Sequence, residues 1–210
     1  MGVNAASRPV HSAQEGPHRD LETLVRRHAA HPYLKPVLEH NRQAFAAAMA
    51  AWQAWDQSAP LVLDAGCGVG WSTLKLAQRH PDHFVLGVDQ SLDRLSRGKP
   101  MPLLDNVAFV RADLADFWRL LHAAGVTPAH HYLLYPNPWP KIGHLGRRWH
   151  GHPVFPILLA LGGRLECRSN WKIYVDELAQ AVTLLTGTPV GVENFDPGAE
   201  PLTPFEAKYQ

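Results

Sequence analysis

Six short strand-like runs, the first four of them largely apolar, separated by helix-forming stretches, constrain this chain more than any other feature. They are Leu61–Leu63, Phe84–Asp89, Val107–Val110, Tyr132–Tyr135, Arg164–Arg168 and Val190–Phe195. Runs this short and this rich in Val, Leu and Phe read as strands rather than helices. Between them, residues 72–79, 91–98, 117–124, 154–161 and 173–185 read as helices, with Ser91 as a cap. Strictly alternating strands and helices predict a parallel sheet covered on both faces, a Rossmann-like α/β architecture. Ligands of such sheets sit beyond the carboxyl ends of the strands. Function is therefore sought in the segment that follows each run.

The 210 residues suit one domain, and 46% hydrophobic content supplies a core. A formal charge of +1 leaves any basic surface to local clustering. Cys67 and Cys167 stand far apart, which points to a reducing, cytoplasmic setting rather than a disulfide scaffold. Thirteen histidines raise the question of a metal. His28 and His31 have helical spacing, and His144, His150 and His152 cluster, but no HExxH or carboxylate-paired pattern occurs, so no metal is expected. No apolar run is long enough to span a membrane, and none is expected as a partner.

Residues 1–19, rich in Pro, Gly, Ser and His, are expected to be a disordered lead-in. Residues 20–57 form a helical extension, with helices from Asp20 to Ala30 and from Pro36 to about Trp55. Phe45, Met49 and Trp52 give the second helix a packing stripe. The domain proper is expected over 58–210.

Carboxylates and glycines gather where the first three strands end. After the first comes Asp64-Ala65-Gly66-Cys67-Gly68-Val69-Gly70; Asp89 ends the second, and Asp113 follows the third. The dinucleotide fingerprint needs glycine where Trp71 stands, and a P-loop needs Gly-Lys-Ser/Thr, which is absent. The spacing instead resembles the first motif of S-adenosylmethionine-dependent methyltransferases. By that resemblance Asp64, Gly66, Gly68 and Gly70 cradle the cofactor, Asp89 accepts from the ribose hydroxyls and Asp113 lies by the adenine.

The fourth strand opens into Tyr135-Pro136-Asn137-Pro138-Trp139-Pro140-Lys141, with Arg147-Arg148 behind it. Each proline fixes φ and removes a donor, so this is a stiff loop and not more sheet. Arg168-Ser169-Asn170-Trp171 and Thr203-Pro204-Phe205-Glu206-Ala207-Lys208 follow. Together these segments resemble the [FY]-P-D-P-W-x-K…R-R, Thr-Asp-Trp and T-x-F-E-x-[KR] elements of bacterial tRNA (guanine-N7)-methyltransferases. The resemblance covers about 61–208 and implies a class I methyltransferase sheet.

It also implies roles. Asn137 would stand where methyl donor and guanine meet, Lys141, Asn170, Thr203, Phe205 and Glu206 would line the substrate side, and Arg147 and Arg148 would contact RNA. Two departures bear on activity: Asn137 and Asn170 replace family aspartates. Guanine N7 offers a lone pair without a proton, so its methylation needs positioning and electrostatics rather than a base. The resemblance thus leaves three readings: methylation of tRNA guanine N7, a same-fold methyltransferase on another RNA or small molecule, or a relative that binds cofactor or RNA without catalysis. The family's fold ordinarily continues into a last antiparallel strand after T-x-F-E. The sequence here runs to Gln210, so the expectation is an uncovered sheet edge or a truncated sequence.

Overall fold

A computed structural model describes residues 10–99, 102, 104–196 and 198–208. Five parallel strands form one sheet: β1 (Leu61–Ala65), β2 (Phe84–Asp89), β3 (Val107–Arg111), β4 (His130–Leu134) and β5 (Arg164–Arg168), in the order β3-β2-β1-β4-β5. The helices are α1 (Leu21–Ala30), α2 (Glu39–Asp56), α3 (Trp71–Arg79), α4 (Leu92–Leu95), α5 (Leu114–Ala123), α6 (Phe155–Ala160), α7 (Lys172–Thr186) and α8 (Pro204–Lys208). Two 3₁₀ turns, Ile142–Arg147 and Trp149–Gly151, carry the chain from β4 to α6.

The two-residue period of the strands sorts side chains onto two faces. Leu61, Leu63, Phe84, Leu86, Val88, Val110 and Leu133 join the larger cluster with residues of α1, α2, α5, α6 and α7. Val62, Val85, Tyr132 and Leu134 join a smaller one with Leu76 and Ala77 of α3 and with Leu202. Both faces are covered, as the alternation predicts, but unequally. No described helix is long and apolar enough to cross a membrane.

Three expectations about elements are corrected. Residues 190–195 form no strand. Val190, Val192 and Phe195 are exposed, and Val190 N–H donates to Thr183 Oγ1 of α7 rather than to a sheet edge. A strand needs a ladder partner, and β5 pairs only with β4 among the described residues. The second helix begins at Glu39, not Pro36, because Leu38 is extended and its N–H donates to Asp116 Oδ2. The helix expected from Phe117 begins at Leu114, because Asp113 caps it by accepting from Ala115 and Asp116 N–H. Residues 1–9 of the expected disordered lead-in lie outside the described residues. Residues 10–19 are held in place: Ser12 Oγ donates to Pro140 O at 2.6 Å, and Gln14 Nε2 and His18 N–H donate to Glu177 at 2.6 and 2.8 Å.

Candidate active site at the strand carboxyl ends

Strand order reverses direction between β1 and β4, which are hydrogen-bonded neighbours through Val62↔His130 to Asp64↔Tyr132. That is the topological switch point, where an open parallel sheet leaves a crevice. The loop leaving β1 is the glycine segment 66–70, and the loop leaving β4 is the proline segment 135–141. Two motifs separated by more than 60 residues in sequence thus become the two walls of one crevice.

On the glycine side, Asp64 is buried, and its Oδ2 accepts from Ser72 Oγ at 2.6 Å and Thr73 Oγ1 at 2.7 Å. Burial pushes its carboxyl up to about 6 against the pull of those hydroxyls. The hydroxyls come from the first turn of α3, so Asp64 ties that helix to its strand. Gly87, beside Asp64 in the ladder, makes this possible: a Cβ there would lie 2.4 Å from Thr73 Oγ1. Sequence reasoning passed over Gly87, although a lone glycine inside an apolar strand signals close approach.

Asp89 is also buried and accepts from Gly68 N–H at 2.9 Å through Oδ2 and from Ser91 N–H at 2.8 Å through Oδ1. Each oxygen keeps a second lone pair, so the carboxylate can still accept from a diol. Gly68, at φ 58°, has nothing within 4 Å of where a Cβ would stand, so the loop is open on that side. This is a cradle suited to a ribose-bearing ligand. Asp113 holds its helix cap through Oδ1, and its own N–H donates to Asn41 Oδ1 of α2. Asn41, fully buried, also donates to Asp116 Oδ2 at 2.7 Å. The extension thereby braces the third strand-end loop, a role its sequence did not announce.

On the proline side, Tyr135 and Trp139 both adopt left-handed backbone, at φ 49° and 46°. Such residues cost roughly 1–3 kcal/mol each and persist only where surroundings over-determine them. Asn137 lies between them, exposed, with Oδ1 accepting from Trp139 N–H at 3.2 Å. Lys141 and Arg147 are exposed, and the Arg147 guanidinium lies 4.8 Å over the Trp139 ring. Asn170 is exposed at the end of β5.

The T-x-F-E segment joins the same end of the sheet as α8. Thr203 Oγ1 accepts from Glu206 N–H, while Glu206 Oε2 accepts from Leu202 and Thr203 N–H, a reciprocal helix cap. Glu206 Oε1 accepts from Arg168 at 2.9 Å, and Phe205 packs on Tyr135 with centroids 4.4 Å apart. The element expected to line the substrate side is thus brought to the proline loop, with Thr203 and Glu206 buried as its fastening.

Arg148 departs from expectation. Its side chain is fully buried, with Nη1 donating to both Glu177 oxygens at 2.8 and 2.6 Å and Nη2 donating to Gln14 and to Trp139 O. It is not a surface cation for phosphate; it clamps the proline loop to α7. His150 Nε2 lies 2.8 Å from Glu177 Oε2, and its Nδ1 is buried without a partner. Burial holds His150 below its usual range. Burial would also push Glu177 up, but hydrogen bonds from His150 and Arg148 outweigh it and hold the carboxyl at about 2. The two adjacent arginines look alike in sequence; the 3₁₀ turn separates them by sending one out and one in.

A family model described as "Putative methyltransferase" matches residues 58–209. The tRNA (guanine-N(7)-)-methyltransferase of Leifsonia xyli subsp. xyli is 31% identical over 165 residues, which are 72% of this chain and 71% of that protein. The protein of the same name from Treponema pallidum is 33% identical over 162 residues, 72% of this chain and 62% of that protein. A crystal structure of the antibiotic-resistance methyltransferase Kmr is 24% identical over 61% of this chain and 67% of that one, with a TM-score of 0.43, too shallow a likeness to carry weight. With the family model spanning the whole sheet and both crevice walls, the chain belongs to the family of the tRNA (guanine-N(7)-)-methyltransferases.

Proposed function

We propose that this chain transfers a methyl group from S-adenosylmethionine to N7 of a guanine in tRNA. The observation that carries the reading is the pairing of β1 with β4, which sets the glycine cradle and the proline loop on either side of one switch point. The two named relatives are tRNA (guanine-N(7)-)-methyltransferases.

When bound, the cofactor supplies an electrophilic methyl on a sulfonium. The chain's own work is positional. Gly66 and Gly68 give it backbone room, whereas Gly70, expected in the cradle, makes room for the Phe109 ring, which a Cβ there would meet at 2.4 Å. Asp89 accepts from the ribose hydroxyls with charge-assisted bonds. Asp113, with Oδ1 committed to its cap, offers Oδ2 near the base. The rigid loop around Asn137 holds the acceptor nitrogen in line, and preset geometry of that kind supplies most of what a reaction without proton transfer needs. Lys141 and Arg147, both exposed beside the loop, contact the RNA backbone, with Trp139 as a stacking surface.

Asn137 tunes the rate. Its Oδ1 is engaged by Trp139 N–H, and as an amide the side chain meets a base without negative charge. An aspartate would keep that turn and add a charged acceptor for guanine N1–H and N2–H₂. Charged hydrogen bonds contribute about 1.5–3 kcal/mol against about 1 for neutral ones, so Asn137→Asp should raise the rate by about tenfold. The test incubates the protein with labelled S-adenosylmethionine and unmodified bulk tRNA, then maps 7-methylguanosine. Label at guanine N7 is the expected result. No incorporation, with cofactor binding intact by calorimetry, would sink the guanine reading and turn attention to another acceptor.

A further inference from the structure

The opposite end of the sheet holds a group of side chains that the methyl-transfer reading leaves unused. His80 ends α3, His83 precedes β2 and His130 opens β4, and one nitrogen from each ring lies within 4.8 Å of the others. Ring centroids stand 4.7 Å apart for His80 and His130, 5.1 Å for His80 and His83, and 5.7 Å for His83 and His130. We propose that His80, His83 and His130 form a binding site for one divalent transition metal of the zinc class.

Zinc–imidazole bonds are about 2.0–2.1 Å long, which puts two nitrogens of a tetrahedral site about 3.4 Å apart. Ring rotations on partly exposed side chains cover the remaining ångström or so. The backbone beneath does not have to move. The Asn106 side-chain amide donates to Ala77 O, His80 O and His83 O at 3.2, 3.2 and 3.0 Å, and so fastens the turn that carries two of the rings. His130 is fixed by its place in the ladder opposite Val62.

The outer contacts suit ligation as well. Asp82 Oδ1 lies 2.8 Å from His83 Nδ1, a carboxylate–histidine pairing that leaves Nε2 for a metal and sets the ring's orientation. Tyr132 Oη lies 3.3 Å from His80 Nε2 and orients the second ring in the same way. Among nearby charges Asp82 and Glu166 favour a cation, while Arg79 and Arg164 oppose it. Three imidazoles and no carboxylate at the centre favour zinc, copper or nickel over magnesium or calcium. Such an ion would tie the α3–β2 turn to β4 across β1, far from the methyl-transfer crevice. The third histidine lies 50 and 47 positions beyond the first two, so spacing rules could not find the group.

The test titrates the untagged, chelator-treated full chain with Zn²⁺ by calorimetry and thermal unfolding, and with Co²⁺ for tetrahedral visible absorption. One ion per chain is expected, with Tm rising by roughly 5–10 °C at a hundredfold excess over Kd. Both His83→Gln and His130→Gln should weaken binding at least tenfold while S-adenosylmethionine binding stays unchanged. His83→Gln alone decides the matter should His130→Gln fail to fold, since His83 lies on a turn outside the ladder. Absence of saturable binding up to millimolar metal would overturn the proposal and leave an aromatic stack. Binding that survives His83→Gln would overturn it too, by assigning the ion to other histidines.

Discussion

Asp64 and Glu177 are both buried carboxylates, yet they are displaced in opposite directions because their donors differ. Asp64 receives neutral hydroxyls, and burial wins, giving about 6; Glu177 receives Arg148 and His150, and the donors win, giving about 2. For Asp64 the sign of the linkage is unusual for an acid. Between the ordinary value of 3.8 and about 6 the folded chain keeps a proton that the unfolded chain has released, so this group's contribution to stability falls as pH rises through that window. A cationic ligand nearby favours the ionised form. S-adenosylmethionine affinity should therefore fall as pH drops from 7 to 5, and Asp64→Asn should flatten that dependence; parallel pH profiles for both proteins would refute the link. The paired arginines make a second residue-scale prediction. Arg147→Ala should weaken tRNA binding and reduce the salt slope by about one contact, leaving Tm within a degree or two. Arg148→Ala strips the partner from a buried carboxylate and should cost about 3–5 kcal/mol, read as a lower urea midpoint. Equal effects of the two on the salt slope would contradict the burial of Arg148.

At the scale of elements, the sheet was legible because β1, β2 and β3 are compact, largely apolar runs and every strand follows a helix. The run at 190–195, with Val190, Val192 and Phe195, also reads as a strand without the same fate, since composition says a segment can pair but not that an edge is there to receive it. The carboxylates at 64, 89 and 113 were legible as strand-end residues, but their hydrogen bonds were not. Asp113 is spent partly on a helix cap, and the cap moves the start of α5 three residues earlier than its apolar pattern suggests. T-x-F-E was legible as a motif and illegible as a capping box, because the same four letters serve both. Gly87 tests how far element packing reaches into the crevice. Gly87→Ala would press a methyl into Thr73, where overpacking costs typically about 1–3 kcal/mol, and would loosen the Thr73 hydroxyl from Asp64. The expected readouts are a lower denaturation midpoint and weaker cofactor binding together. A stability loss with cofactor affinity unchanged would mean that the α3 anchor does not shape the cradle.

For the whole molecule, the sheet is thickly covered on one face and thinly on the other, and the N-terminal helices belong to the thick side. α2 reaches the strand-end loops through Asn41, and Leu21 and Val25 of α1 lie in the main core, so the extension is structural and not an appendage. Amide exchange should follow this layering. The amides of β1, β2 and β4 should be the slowest, and those of 189–196 should exchange within seconds, since few of them have protein acceptors. Protection over 189–196 matching that of β4 would contradict the absence of a strand there.

Glu177 has one more consequence, and it concerns time. Its acceptors gather Arg148 and His150 from close by and Gln14 from 163 residues away in the chain. The ladders of β1 with β2 and β4 close shorter loops, the longer of them pairing Val62 with His130, and need no help from residue 14. Closing so long a loop is entropically late, with a cost that grows as the logarithm of its length. The cofactor half can therefore assemble first, and the proline loop is locked only when the N-terminal strap arrives. The contact of Gln14 with Glu177 is thus expected to be the last of these to form, which a refolding phase abolished by Gln14→Ala would show.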